Sequence, residues 1–364
     1  MKNCIFQAGL KDGKKLYTIE RELGLLMEYD LDTFSYKIVT QLESNQMTDG
    51  VWRVNSIVKV EDVLYLSFRD HDFLMAYDIK VGSIAMYGED RDGRNGIEKI
   101  LHIGDELWLI PYCTSREVKV FKLQSKQFEV KFSLQKQLCR NRKLENGELV
   151  HFITASEGQI YAFLWNTPYI ISIDLSGKKV QMHEVEGGAK IVSATSVGTH
   201  IWFSFANNTK VVKWSIEKGI QETMDIKELP MDDRGCPIIN LFEIDDKIFL
   251  IPRFHTKLYS YKKIGAEWNL IYIKGFNRIN QHKNNDSFRT YIFKENQMML
   301  FPFDADRILI ADLQTGEWME QECVLSREDV VLYDITKKRV QKGIVEKSWF
   351  SLEDFLKLVE LKDR

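Results

Sequence analysis

Five cysteines are few for 364 residues, and Cys4, Cys113, Cys139, Cys236 and Cys323 stand far apart, odd in number and without a CxxC pair. That spacing supports neither a zinc site nor a disulfide framework, so buried or loop thiols in a reducing cytoplasm are expected. Long apolar runs are missing as well. No stretch of ~18 apolar residues occurs, and the start, MKNCIFQAGLKDGKKLY, has no apolar leader core. A cytoplasmic location without a membrane partner is the expectation. Charge of one sign is also lacking. A net charge of −3 supplies no strongly basic face, so no nucleic-acid partner is expected.

Catalytic and metal motifs are equally scarce. The seven histidines form no HxH, HxxxH or HExxH spacing, and there is neither a GxSxG elbow nor a phosphate-binding P-loop. The charged stretch from Gly88 to Gly96 has Asp90 and Asp92 but lacks the third carboxylate and the bidentate glutamate of a calcium loop. It reads as a solvated loop. No metal and no cofactor is expected.

What the chain does have is a repeat. Each copy contains a short apolar run, a polar break, a stronger apolar run and two alternating runs joined by a polar turn, as in Lys99–Val130. Anchored on Trp108, the copies fall at Tyr17, Tyr65, Trp108, Tyr161, Trp202, Phe249 and Met299. The 282 residues from Tyr17 to Met299 hold six intervals, a mean period of 47. That lies between the ~40–45 residues of WD40 repeats and the ~50 of kelch repeats. Third-strand endings recur too: EYDLDT at Glu28, AYDIKV at Ala76, VFKLQS at Val120, SIDLSG at Ser172, KWSIEK at Lys213, SYKKIG at Ser260 and IADLQT at Ile310. Alternation followed by turn residues marks half-buried strands in hairpins. The recurring Asp30, Asp78, Asp174 and Asp312 occupy one position of the copy and read as turn residues, not as an active site.

On these endings the chain resembles the seven-bladed β-propellers of the broad kelch, YVTN and quinoprotein-like kind, across roughly residues 1–325. It has no WD dipeptide and no Trp-Gly docking ending, so the resemblance is to an architecture and names no functional family. It implies an all-β fold of seven four-stranded antiparallel blades, whose stacked sheets leave only short edges. Essentially no helix is expected before about residue 340. Residues 326–364 form the second unit, docked on the propeller. VVLYDITKKRV (Val330–Val340) repeats the strand–turn–strand pattern and is expected to be a hairpin. WFSLEDFLKLVELKDR then gives an amphipathic helix capped by Ser351. Blade one has four strands of its own in order, so no swapped closing strand is legible.

Four residues past each anchor, the ends of the second strands read Arg21, Arg69, Tyr112, Trp165, Ala206, Arg253 and Phe303. Six of these seven are arginine or aromatic, the types enriched at binding surfaces. The second-to-third loops and blade-to-blade connections share one face of a propeller, which adds Trp52, Arg53, His255, Asp306 and Arg307 as candidates. Arg21, Arg69 and Arg253 fall on one arc, where they require an anion or carboxylates such as Asp304 and Asp306 among them. The function expected is a binding module for a small anionic, sugar- or peptide-like ligand, or for a protein, at the channel mouth. An enzyme on such a substrate (a lyase, cyclase or hydrolase) is the alternative, and a protein-interaction scaffold a third.

Overall fold

A computed structural model describes residues 6–20, 23–42, 52–88, 96–138, 147–156, 158–176, 179–185, 189–206, 208–227, 238–244, 247–252, 257–265, 267–275, 288–302, 307–322 and 324–341. The chain is a seven-bladed β-propeller, with seven antiparallel sheets each using four strands in chain order. Blade two consists of Val54–Val60, Val63–Phe68, Leu74–Asp78 and Ile84–Tyr87. Blade three consists of Ile97–Ile103, Glu106–Pro111, Glu117–Lys122 and Gln127–Ser133. Blade four consists of Val150–Ser156, Gln159–Leu164, Tyr169–Asp174 and Lys179–Glu184. The first strands of blades one to six lie side by side in succession, and that of blade seven lies beside blade one. They line the axis.

Burial follows from this stacking. Second strands have both faces covered by neighbouring blades, and Leu64 to Phe68 are all buried. Hence they read as unbroken apolar runs rather than alternating ones. The clusters that hold the ring bridge blades: Tyr17, Ile19 and Leu26 of blade one pack with Leu64, Leu66 and Phe68 of blade two. Fourth strands lie at the rim and stay largely exposed, as in Gln127–Ser133.

The recurring aspartates make turns. Asp30 Oδ1 accepts from the N–H groups of Asp32 and Thr33, and Asp78 and Asp312 do the same two and three residues on. The carbonyl of the first turn residue then accepts from the fifth, at Phe34, Gly82 and Gly316. That fifth residue has φ of 56°, 74° and 80° respectively, a conformation glycine adopts freely. The backbone N–H groups hold the Asp30 and Asp312 carboxyls below their ordinary range.

Ring closure comes from a short strand that the repeat does not reveal. Val324–Leu325 pairs in parallel with Ser35 and Tyr36 on the outermost strand of blade one, giving that sheet a fifth strand. The expected hairpin at Val330–Val340 is instead part of a helix, α2, spanning Arg327–Gln341. Its start is set by Ser326, whose Oγ accepts from the Asp329 N–H and donates to Asp329 Oδ2. Such a reciprocal cap fixes a helix N-terminus. Leu332, Tyr333 and Thr336 share a face at helical spacing, and Tyr333 is 2% exposed in the core shared by blades seven and one. A second departure is α1, Leu134–Leu138, whose two leucines are buried. The helix expected from Ser351 onward lies outside the described residues.

Candidate functional site

All seven first strands slip register by one residue against their second strands near the end where they begin. A bulge of this kind re-aims the extra side chain. In blades two and three the extra residues are Asn55 and Glu98, since Val54 and Ser56 pair with Phe68 and Ser67, and Ile97 and Lys99 with Pro111 and Ile110. The ladder then runs on past the second strand. Arg69, Tyr112, Trp165 and Ala206 each donate their backbone N–H to the residue preceding their blade's first strand, at 2.7–2.9 Å. These four members of the column counted from the sequence therefore share one structural position, in blades two to five.

Three members of that column meet through His151. The Arg69 guanidinium lies 4.8 Å above the Tyr112 ring centre. Tyr112 meets His151 edge-on at 5.6 Å, His151 stacks on Phe163 at 5.2 Å, and Trp165 meets His151 edge-on at 5.4 Å. The close approach depends on Gly96, where a Cβ would stand 1.7 Å from the Arg69 carbonyl oxygen. No carboxylate pairs with the Arg69 guanidinium among the described residues.

Beneath these side chains runs a polar chain across three blades. Glu98 Oε2 accepts from Asn55 Nδ2 at 3.2 Å, while Oε1 accepts from the Phe152 N–H at 3.4 Å and lies 3.3 Å from His151 Nδ1. Its neighbour Lys99 places its ammonium 5.2 Å from the Phe152 ring centre. Burial pushes the Lys99 pKa down, opposed by the charge on Glu98. His151, 26% exposed at its side chain, remains open to a ligand. Asn55, Glu98, Lys99 and His151 are not among the candidates drawn from the sequence. The signal available is a polar residue directly after the apolar residue that opens an innermost strand: Asn55 after Val54, Glu98 after Ile97 and His151 after Val150.

The other candidates lie elsewhere. Trp52 is 6% exposed, packed on Gly24 and 5.7 Å from Phe68 between blades one and two. Arg53 pairs with Asp70 in the second-to-third loop of blade two. Arg307 pairs with Glu320 at 3.0 Å and Glu322 at 3.7 Å across blade seven. Arg21, Arg253, His255 and Phe303, with Asp304 and Asp306, fall outside the described residues. Arg69 is thus the one described member of the three-arginine arc. Beyond Gly96 and Pro111 a cleft of about 410 Å³ opens between blades two and three and α1, lined also by Asp72, Arg116, Lys119 and Lys136. Among the described residues no group of three or more His, Cys, Asp or Glu could hold a metal ion, and no helix is long and apolar enough to cross a membrane.

No family model matches this chain, and no curated protein does. Solved structures do. Virginiamycin B lyase from Staphylococcus aureus superposes with a TM-score of 0.59 at 9% identity, covering 82% of this chain and 92% of the lyase. YCF48 bound to D1 peptide gives 0.59 at 11% identity, over 83% and 91% of the two chains. The WD40 repeats of RRP9 give 0.57 at 8% identity, over 82% and 87%. At such identities the likeness is one of fold, and that fold, a seven-bladed β-propeller, serves binding proteins and a lyase alike.

Proposed function

We propose that the protein is a binding module whose mouth over blades two to four takes a carboxylate-bearing peptide. The observation that carries this is the Arg69 guanidinium, held over the Tyr112 ring and engaged by no carboxylate among the described residues. A planar fork of donors suits a carboxylate bidentately, and stacking on a ring keeps it oriented without consuming those donors. Trp165, half-buried on the far side of His151, offers aromatic surface, where an amphipathic ring gives contact area at low entropy cost. Peptide binding by a propeller of the same shape, YCF48, supports the class of ligand.

The test is calorimetric titration with the capped tripeptide acetyl-Phe-Gly-Asp-amide and its Asn counterpart. The Asp peptide is expected to bind more tightly than the Asn peptide by about tenfold or more, the scale of a charge-assisted hydrogen bond. Arg69→Lys and Trp165→Ala are each expected to weaken it with unchanged melting temperature. Equal affinity for both peptides, or indifference to both substitutions, sinks the proposal.

An enzyme acting on the same ligand class is the second reading, favoured by the Glu98–His151 contact. A carboxylate that orients an imidazole is how a general base is held. Cleavage or rearrangement of the bound peptide, followed by mass spectrometry and lost in His151→Gln, would replace binding by catalysis.

A further inference from the structure

We infer that Glu98 makes this mouth a reader of hydrogen-bond donors, so that the ligand must present a backbone N–H close to its carboxylate; this rests on Arg69 being the carboxylate clamp. The argument starts from what surrounds Glu98. Asn55 Nδ2 and the Phe152 N–H can only donate, and both point at its carboxylate. An ionised carboxylate only accepts. The third partner, His151 Nδ1 at 3.3 Å, must therefore carry the ring proton. In a neutral imidazole the other nitrogen is then an acceptor, its role set by the bond the first one makes.

That acceptor stands where a ligand would pass. The ring is fixed by Phe163, Tyr112 and Trp165 on three sides, and no group among the described residues hydrogen-bonds Nε2. Arg69 and His151 flank one Tyr112 ring, at 4.8 and 5.6 Å from its centre. An extended peptide advances about 3.3 Å per residue, so about three residues cover the widest separation these two distances allow. Arg69 offers only donors and Nε2 only a lone pair. The pair thus selects a ligand with a carboxylate at one end and an N–H at the other. An ester analogue of the same shape leaves Nε2 facing an oxygen, which offers it no proton. Glu98 touches no ligand in this scheme; it is a positioning residue.

Two measurements test it, both at about pH 8.5, above the ordinary histidine range. Long-range proton–nitrogen correlation spectra of the labelled protein report which nitrogen of His151 carries the proton; Nδ1–H is expected, and Nε2–H overturns the inference. The second compares acetyl-Phe-Gly-Asp-amide with three esters in which one backbone N–H at a time is replaced by oxygen. One ester is expected to bind the wild type about tenfold more weakly. Glu98→Ala should erase that difference, whereas Glu98→Gln, which keeps an acceptor oxygen for Nδ1–H, should retain it. Arg69→Lys should weaken amide and esters by a common factor. If the wild type binds amide and esters equally while Arg69→Lys still weakens all of them, the donor-reading role is wrong and the clamp stands. Indifference of every peptide to Arg69→Lys removes the clamp, and this inference with it.

Discussion

The seam between blades seven and one and the mouth over blades two to four are made from the same repeat, yet they treat polar groups in opposite ways. At the seam, Lys294 donates to the Leu31 carbonyl at 3.0 Å and to Asp32 at 2.6 Å, and Asp32 also pairs with Lys14. Asp329 of α2 accepts from the Ile38 N–H, and Tyr29 packs between Tyr36 and Phe301 at 4.6 and 5.2 Å. Here charges and edges are matched. At the mouth, Glu98 is saturated, while the Arg69 fork and His151 Nε2 meet no such partner among the described residues. A repeat fixes where side chains stand; whether they hold the ring or face a ligand depends on what the adjoining blade supplies.

This contrast predicts that seam variants change stability and not affinity, and mouth variants the reverse. The largest effect is expected at the seam. Tyr333→Ala empties a site that is 2% exposed and should cost about 3–4 kcal/mol, the range for deleting a buried ring. Urea unfolding checks it, with peptide affinity of the folded protein unchanged. Deleting residues 326–364 should cost more, since α2 and its bond to Ile38 go together.

Gly96→Ala tests the one place where scaffold and site coincide. Its Cβ would stand inside the Arg69 carbonyl, so a backbone shift costing about 2 kcal/mol is expected, together with loss of peptide binding. A variant that binds normally would show that the Arg69–Tyr112 contact is not the clamp. Arg69→Lys should act on affinity alone, about tenfold by titration, with stability within about 0.5 kcal/mol of wild type.

The smallest effect is the seam's share of the pH dependence. Hydrogen bonds from Lys14 and Lys294 hold the Asp32 carboxyl down, at about 2. A depressed folded pKa gives stability that is present above the unfolded value of about 3.9 and lost as pH falls toward 2. Asp32→Asn should make that acid limb of the melting curve shallower, and Arg69→Lys should leave it unchanged. Equal acid limbs for wild type and Asp32→Asn would detach the ion pair from closure.

Much of this was written locally. Anchors such as Tyr65 and Trp202 recur because a second strand buried on both sides must be apolar throughout, and Asp30, Asp78 and Asp312 recur because one turn is used again. The column through Arg69, Tyr112 and Trp165 was countable because it is one ladder position. Val330–Val340 reads as a hairpin because its Tyr-Asp-Ile-Thr resembles the third-strand endings EYDLDT and AYDIKV, while the features that decide for helix are the Ser326–Asp329 cap and a face completed by blades seven and one. Trp52 shows the same limit, for an isolated tryptophan in a polar connection gives no hint that Gly24 leaves room for its ring.

The sequence by itself determined the number of blades and their strand order, because strand period and turn chemistry are local. Only the tertiary structure decided that Val324–Leu325 closes the ring on blade one, and that Asn55, Glu98 and His151 join across three blades. Those choices depend on bulges that add one residue to the first strands and on contacts between residues 43 to 291 positions apart. No local pattern encodes such distances; the closed ring imposes them.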